Sequence, residues 1–334
     1  MAIIALVSCA LFAAINGSAI ATSIAIGSIL YPAMVKQGYP PAFAAAVIAG
    51  GGVVGPIIPP SIPMIVYGAT TGDSIAALFS GGIVLGILVV AAEVLAAYLI
   101  SKKNGYGGAK EEVDFGSTKG ILWALAFPVI IFVSIIGGIM TATETSALAV
   151  VYAWFVGTFI YREFKLTELP FMTVKAMKGA GSVMAIVGAA TAVAWVLTYD
   201  RVPQQVTEAM VKSISGPGLF MVVSFLILFV IGMIMDLTPA ILILTPIFML
   251  PVKAFGIDPI YFGVFFCAVL TAGLVTPPVG TLIYLGCSQS KASFSEVVKK
   301  LLPFVLAMYA VLFIASLLPD LITFLPKQVF KLYN

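Results

Sequence analysis

Two stretches of this chain set oxygen-bearing side chains beside backbone that cannot hold a regular helix. In the first, Asn16-Gly17-Ser18 is followed by Gly55-Pro56 and then by Pro59-Pro60-Ser61. In the second, Asp236-Leu237-Thr238 is followed by Gly273 and then by Thr276-Pro277-Pro278-Val279-Gly280. A proline has no N–H for the carbonyl four residues earlier. Pro59 and Pro60 therefore release the carbonyls of Gly55 and Pro56, and Pro277 and Pro278 release those of Gly273 and Leu274. Together with the hydroxyls of Ser18, Ser61, Thr238 and Thr276, these are hard oxygen ligands suited to a bare cation such as Na⁺. The half-helices that restart after each break aim their N-termini into the same region, where negative charge is favoured. The chemistry implied is joint binding of a cation and a small anion.

The elements that must position these groups recur. Leu30-Tyr31-Pro32 and Gly38-Tyr39-Pro40-Pro41-Ala42-Phe43 in the first copy match Leu244-Thr245-Pro246 and Gly256-Ile257-Asp258-Pro259-Ile260-Tyr261 in the second. Gly38 to Pro41 and Gly256 to Pro259 both span three residues, and Pro60 to Tyr67 and Pro277 to Tyr284 both span seven. Two short apolar arms flank Asn16-Gly17-Ser18, and two more flank Asp236, the second returning to Leu250. Each pair predicts a re-entrant hairpin, which persists at membrane depth only where protein or a water-filled cavity covers it. Segment 41–70, interrupted by Gly50-Gly51-Gly52 and by Pro56, Pro59, Pro60 and Pro63, reads as a broken helix. So does segment 259–290, broken at Thr276-Pro277-Pro278. Isolated Pro and Gly kinks are common in membrane helices. Two matching breaks, each after a hairpin with a polar tip, point instead to a site at the meeting of inverted repeats.

Composition sets the medium. Of 334 residues, 61% are hydrophobic and 9% charged, against roughly 25% charged in soluble domains, so the outer surface must face a lipid bilayer. Spans are predicted at 74–100, 120–141, 143–161, 172–199 and 301–325, each near the ~20 residues that cross a bilayer. The expected fold is an all-α polytopic membrane protein. Its divisions are a first repeat (1–73), connecting helices and scaffold (74–217), a second repeat (218–300), and a last helix with its tail (301–334). With the loops at 101–119 and 162–171 in the cytoplasm, twelve of the seventeen Lys and Arg residues fall inside, in accord with the positive-inside rule. The same count makes the two hairpins enter from opposite sides.

The absent chemistry is as informative. No histidine is present, which removes Ser-His-Asp catalysis and histidine metal sites, and the isolated carboxylates leave little for an intramembrane enzyme. A phosphate-binding Gly-rich loop is lacking, which gives an ATP-driven carrier no support. A net charge of +3 without a long basic run gives nucleic-acid binding no support. Cys9, Cys267 and Cys287 read as packed thiols.

Taken together, Asn16-Gly17-Ser18, residues 38–43, Pro56-Ile57-Ile58-Pro59-Pro60-Ser61, Thr143-Glu144, Asp236 and Thr276-Pro277-Pro278-Val279-Gly280 resemble the large membrane subunit of tripartite ATP-independent periplasmic (TRAP) transporters, over essentially the whole chain. The resemblance implies sodium-driven uptake of an organic acid, such as a dicarboxylate or sugar acid, by an elevator-type movement, with Na⁺ as coupling ion and no organic cofactor. It also implies a small membrane subunit and a periplasmic solute-binding protein as partners, in a bacterial or archaeal inner membrane. Carried over by residue, Asn16 and Ser18 with Gly55 and Pro56 serve one sodium site. Asp236 and Thr238 with Gly273, Thr276 and Pro277 serve another. The solute lies between, against Gly17, Pro60, Ser61, Pro278 and Gly280. Members of that family have further membrane segments before the first hairpin, whereas this chain opens on the hairpin arm, which leaves a fragment, an internally started product and a complete natural protein as open readings. Another ion-coupled anion carrier, a channel, or a non-functional fragment are the alternatives.

Several charged residues have structural readings. Glu144 follows Thr141 in a Thr-x-x-Glu pattern that caps a helix, and Glu93 is expected to snorkel or to contact a partner near a helix end. Asp200 and Arg201 read as a surface pair, with contact to a solute carboxylate the sharper alternative for Arg201. The mixed-charge run from Lys102 to Lys119, with Glu111, Glu112 and Asp114, is assigned no chemistry. No Lys or Arg lies inside either motif core.

Overall fold

The first hairpin turns at a glycine. Helix α1 (Ala2–Asn16) ends with Gly17 in the left-handed region (φ 63°), and Ser18 starts α2 (Ala19–Lys36) by accepting a hydrogen bond from the Ala21 N–H at 3.3 Å. The computed structural model describes residues 1–107, 121–163 and 165–330, and all of its regular structure is helical. Lys110, Glu111, Glu112, Asp114, Lys119 and Lys331 lie outside the described residues. After the hairpin come α3 (Pro41–Val53), the break, α4 (Ile62–Thr71) and α5 (Ile75–Asn104). Next are α6 (Ile121–Ile136), α7 (Ala142–Phe155), α8 (Leu169–Tyr199) and α9 (Val202–Ser213). The second hairpin is α10 (Pro217–Gly232) and α11 (Leu237–Ala254), followed by α12 (Pro259–Ala272), a 3₁₀ turn at Gly273–Val275 and α13 (Thr281–Ser290). Two further helices, α14 (Phe294–Leu317) and α15 (Asp320–Phe330), close the described chain.

Six of these helices are long and apolar enough to cross a membrane: α2, α5, α7 with its π-helical extension to Ile160, α8, α11 and α14. The hairpin arms α1 and α10 and the half-helices α3, α4 and α12 are apolar but shorter. The protein is a polytopic all-α membrane protein.

The centre of the fold is built from α3 and α12. Residues 43–53 of α3 and 260–272 of α12 are all buried, so these helices are apolar all round, as helices surrounded by protein must be. The order hairpin, half-helix, break, half-helix occurs twice, and the packing partners exchange between the copies. Helix α5 packs on α1 and on α12, whereas α14 packs on α10 and on α3. Helix α8, by contrast, has Ala190 as its one buried residue among those described. It touches α9 and α11, and presents the rest of its surface outward.

Where the structure departs from expectation, local chemistry explains it. The Gly50-Gly51-Gly52 triplet does not interrupt α3. It allows three neighbours to approach: a Cβ on Gly50 would stand 3.4 Å from Oε1 of Glu93, one on Gly51 2.9 Å from Sγ of Cys9, and one on Gly52 would fall on Oγ of Ser23. The last span does not run to residue 325. A capping box between Ser293 and Glu296 starts α14 earlier, and the chain leaves the helix at Leu318, ahead of Pro319, because the residue before a proline is pushed out of helical geometry. Likewise α11 continues past Leu250 to Ala254 despite Pro251. Glu93 neither snorkels nor sits at an exposed end: it is 1% exposed, and its Oε2 has no hydrogen-bond partner among the described residues. Asp200 and Arg201 do not pair; the ion pair within 4 Å among the described residues is Lys327–Asp320. The capping reading of Glu144 holds: Oε2 accepts from the Thr141 N–H at 2.8 Å, and the Glu144 N–H donates to Oγ1 of Thr141 at 3.3 Å. All three cysteines are free thiols, Cys9 and Cys267 fully buried.

Candidate functional site

The two hairpin tips meet. Gly17, Ser18, Pro56, Asp236 and Thr238 line one cavity of about 140 Å³, with Ala19, Ile20, Ile62, Pro63, Leu237 and Leu274 completing the wall. Five of the residues singled out from sequence, from both repeats, thus share one space.

The tips are built alike. Ser18 is the N-cap of α2 and Asp236 the N-cap of α11. In the first tip, Oδ1 of Asn16 accepts from the Ser18 N–H at 2.7 Å, and Nδ2 of Asn16 donates to Oγ1 of Thr22 at 3.2 Å. Asn16 therefore holds the turn closed from within the hairpin. Thr22 was not singled out beforehand; its place one turn into α2, on the face of Ser18, is the signal that would have found it. Asp236 differs from Ser18 in one respect. It makes no side-chain capping bond and is exposed, so its carboxylate remains available to whatever enters the cavity.

Three helix N-termini converge on this space. The first turns of α2 (Ala19, Ile20), α4 (Ile62, Pro63) and α11 (Leu237, Thr238) all contribute to its wall. Sequence reasoning expected the half-helices restarting after the two breaks, α4 and α13. The first of these is in place. From the second repeat, the return arm of the hairpin supplies the N-terminus instead. Unbonded N–H groups and the helix dipole make such a space favourable to negative charge, while Asp236 is the one charged side chain in the lining.

Backbone contact holds each tip to a break. A Cβ on Gly17 would fall on the carbonyl oxygen of Pro60, and one on Gly55 would stand 2.9 Å from the Ser18 carbonyl. In the second repeat, a Cβ on Gly273 would fall on the carbonyl of Gly232, at the end of α10. Only glycine permits such approach.

Not all the expected ligand atoms are free. Oγ of Ser61, fully buried, donates to the Pro56 carbonyl and accepts from the Met64 N–H at 3.3 Å, capping α4. The Gly273 carbonyl accepts from the Thr276 N–H at 3.0 Å. Oγ1 of Thr276 donates to the Ala272 carbonyl at 2.8 Å and lies 3.0 Å from the hydroxyl of Tyr309 on α14. Each of these oxygens keeps a second lone pair, but their first duty is to hold the breaks in shape. Thr276, Pro277, Pro278 and Gly280 are not in the cavity wall; Pro278 is exposed, and Gly280 (φ 46°) starts α13. The Thr276–Tyr309 contact gives a direct test of its structural role. Tyr309→Phe is expected to lower the stability of the detergent-solubilised protein by about 1 kcal/mol, seen as a lower thermal unfolding midpoint. An unchanged midpoint would show that α14 does not brace the second break through this bond.

Comparison with known proteins bears on this architecture. The sequence profile of the family described as "Tripartite ATP-independent periplasmic transporter, DctM component" matches residues 1–321. The chain belongs to the DctM family. Among similar proteins, the 2,3-diketo-L-gulonate TRAP transporter large permease protein YiaN of Escherichia coli is 38% identical over 316 residues, covering 93% of this chain and 74% of that one. The C4-dicarboxylate TRAP transporter large permease protein DctM of Vibrio cholerae is 37% identical over 351 residues, or 98% and 77% of the two chains. The isethionate TRAP transporter permease protein DctMQ of Oleidesulfovibrio alaskensis is 37% identical over 323 residues, which is 96% of this chain and 51% of its own. This DctM-family chain is accordingly a component of a membrane transporter and not an enzyme. Its paired hairpins and breaks are the parts that form the shared cavity.

Proposed function

We propose that this chain is the solute-translocating subunit of a sodium-coupled TRAP-type uptake system for an organic acid. The observation that carries the proposal is the cavity between the tips. It places three helix N-termini, two tip oxygens (Ser18, Thr238) and one carboxylate (Asp236) around one space without any cationic side chain. A carboxylate-bearing solute entering there meets favourable backbone charge but also the like charge of Asp236. Bound Na⁺ resolves that conflict by neutralising Asp236 and the solute together, which makes solute binding depend on sodium. Asn16, Ser18, Gly55 and Pro56 would hold or shape one sodium site, and Asp236, Thr238, Gly273, Thr276 and Pro277 the other. Gly17 would line the space for solute, with Pro60, Ser61, Pro278 and Gly280 shaping it from outside the cavity wall.

The relatives' names point to organic anions as the class of solute: 2,3-diketo-L-gulonate, C4-dicarboxylate and isethionate. By the same kinship the chain would work in a bacterial inner membrane with a small membrane subunit and a periplasmic solute-binding protein. The elongated α6–α8 region would be the scaffold against which the hairpin core moves, elevator fashion. The test is uptake of a panel of carboxylate solutes into proteoliposomes with both partners supplied. Uptake is expected only with an inward sodium gradient, and solute binding is expected to disappear when choline replaces sodium. Equal flux or binding in choline would refute the coupling.

A further inference from the structure

Away from the tips, three turns of the chain meet at one surface of the membrane domain. They are the turn between α2 and α3 at Pro40, the end of α13 at Ser290 and Lys291, and the first turns of α14. Between them lies a cleft of about 480 Å³ whose wall carries Lys291, Lys299 and Lys300. The one carboxylate in that wall, Glu296, is tied into the capping box, with Oε2 accepting from the Ser293 N–H at 2.9 Å and from its hydroxyl at 2.8 Å. Among the described residues none of the three lysines forms an ion pair within 4 Å. Lys291, in the left-handed region (φ 55°) at the end of α13, is part of the cleft wall. The cleft is therefore a concave, net-positive surface beside the first turns of α14.

A second observation continues from it. Below Lys299, the outward face of α14 is an unbroken apolar stripe at helical spacing: Leu302, Leu306, Ala310, Phe313 and Leu317 are all exposed. Positive charge in a cleft, continued by an apolar track along α14 from Leu302 to Leu317, matches a molecule with an anionic head and a hydrocarbon tail. Basic pockets between membrane helices favour such headgroups, with each lysine near the surface adding to the attraction.

We infer that this cleft seats the headgroup of an anionic glycerophospholipid, with an acyl chain lying along the Leu302–Leu317 stripe of α14. The lipid joins α3, α13 and α14, elements of both repeats, and so ties the two halves of the core together at this surface. Nothing in the inference depends on the sodium or solute assignments made for the tips.

The test is native mass spectrometry of the purified full chain, equilibrated with equal amounts of phosphatidylglycerol and phosphatidylcholine. The wild-type chain is expected to retain phosphatidylglycerol preferentially. The triple variant Lys291→Gln, Lys299→Gln, Lys300→Gln is expected to lose that preference by roughly tenfold or more. The variant Lys175→Gln, Lys178→Gln, which removes two exposed lysines of α8, is expected to keep it. Circular dichroism of each variant checks the fold, which these surface changes should leave intact. A Leu302→Asn, Leu306→Asn variant is expected to weaken retention of phosphatidylglycerol, and unchanged retention would overturn the placement of the acyl chain on α14. Equal retention of both lipids by the wild type overturns the inference. So does an equal loss in the two lysine variants, which would mark a diffuse surface charge. Displacement of the lipid by millimolar inorganic phosphate would identify a free-anion site instead and overturn it as well.

Discussion

Gly17→Ala is expected to abolish sodium-driven uptake and to lower stability by about 2 kcal/mol or more. Two costs combine at this position. The backbone is left-handed (φ 63°), which costs an L-residue roughly 1–2 kcal/mol. The added methyl would also fall on the carbonyl oxygen of Pro60, and overpacking of this kind costs about 1–3 kcal/mol. The second cost is the informative one, because relief requires the hairpin tip to move off the first break, and that movement changes the cavity both tips share. Gly72→Ala separates the two. Gly72 is also left-handed (φ 82°), but has open space where a Cβ would go, so it should show the backbone cost alone and transport normally. Initial rates of uptake and thermal midpoints for both variants decide the matter. If they behave alike in both measurements, the close seating of tip on break has no role in transport.

Asp236→Ala should do the reverse, sparing the fold and removing the coupling. Its carboxylate is exposed and makes no capping bond, so stability should change by no more than about 0.5 kcal/mol, the usual range for surface substitutions. It is, however, the only charged side chain in the cavity wall among the described residues. An interaction with a charged group is worth about 1.5–3 kcal/mol, so the apparent sodium affinity should fall roughly 10- to 100-fold, with Asp236→Asn close behind. Sodium titrations of uptake, run beside thermal unfolding, give both quantities. A variant with normal sodium dependence and a lowered midpoint would make Asp236 a structural cap, and the sodium assignment at the second tip would fail.

These two residues illustrate how glycines and side-chain oxygens shape the hairpin tips and the breaks. At Gly17, Gly55 and Gly273, the missing side chain lets one backbone segment rest on another. The polar tips can then be seated closely against the breaks. At Asn16, Ser61 and Thr276, side-chain oxygens satisfy the groups that the turns and prolines leave open. Against this background the Asp236 carboxylate makes no capping bond, whereas that of Glu144 is locked in its capping box.

Much of this was legible from residue order. Sparse charge forced a membrane protein, since a surface with so few ionised groups cannot be solvated. The paired breaks were visible because proline acts locally: a missing N–H has the same consequence wherever the chain goes. The hairpins were visible for a similar reason, as apolar arms meet at Gly17-Ser18 and at Asp236-Leu237-Thr238, residues that make turns and caps. What the order of residues could not reveal was which surfaces face one another. That depends on packing between segments more than two hundred residues apart. Only the tertiary structure showed that α11, not α13, brings the second repeat's N-terminus to the cavity. Nor could the sequence show that the Gly50-Gly51-Gly52 triplet stays helical to admit Glu93, Cys9 and Ser23 from three sides. Glu93 itself makes the point: a carboxyl in an apolar helix looks the same in sequence whether it reaches water or is enclosed, and the packing of α5 against α3 and α14 decided that it is enclosed.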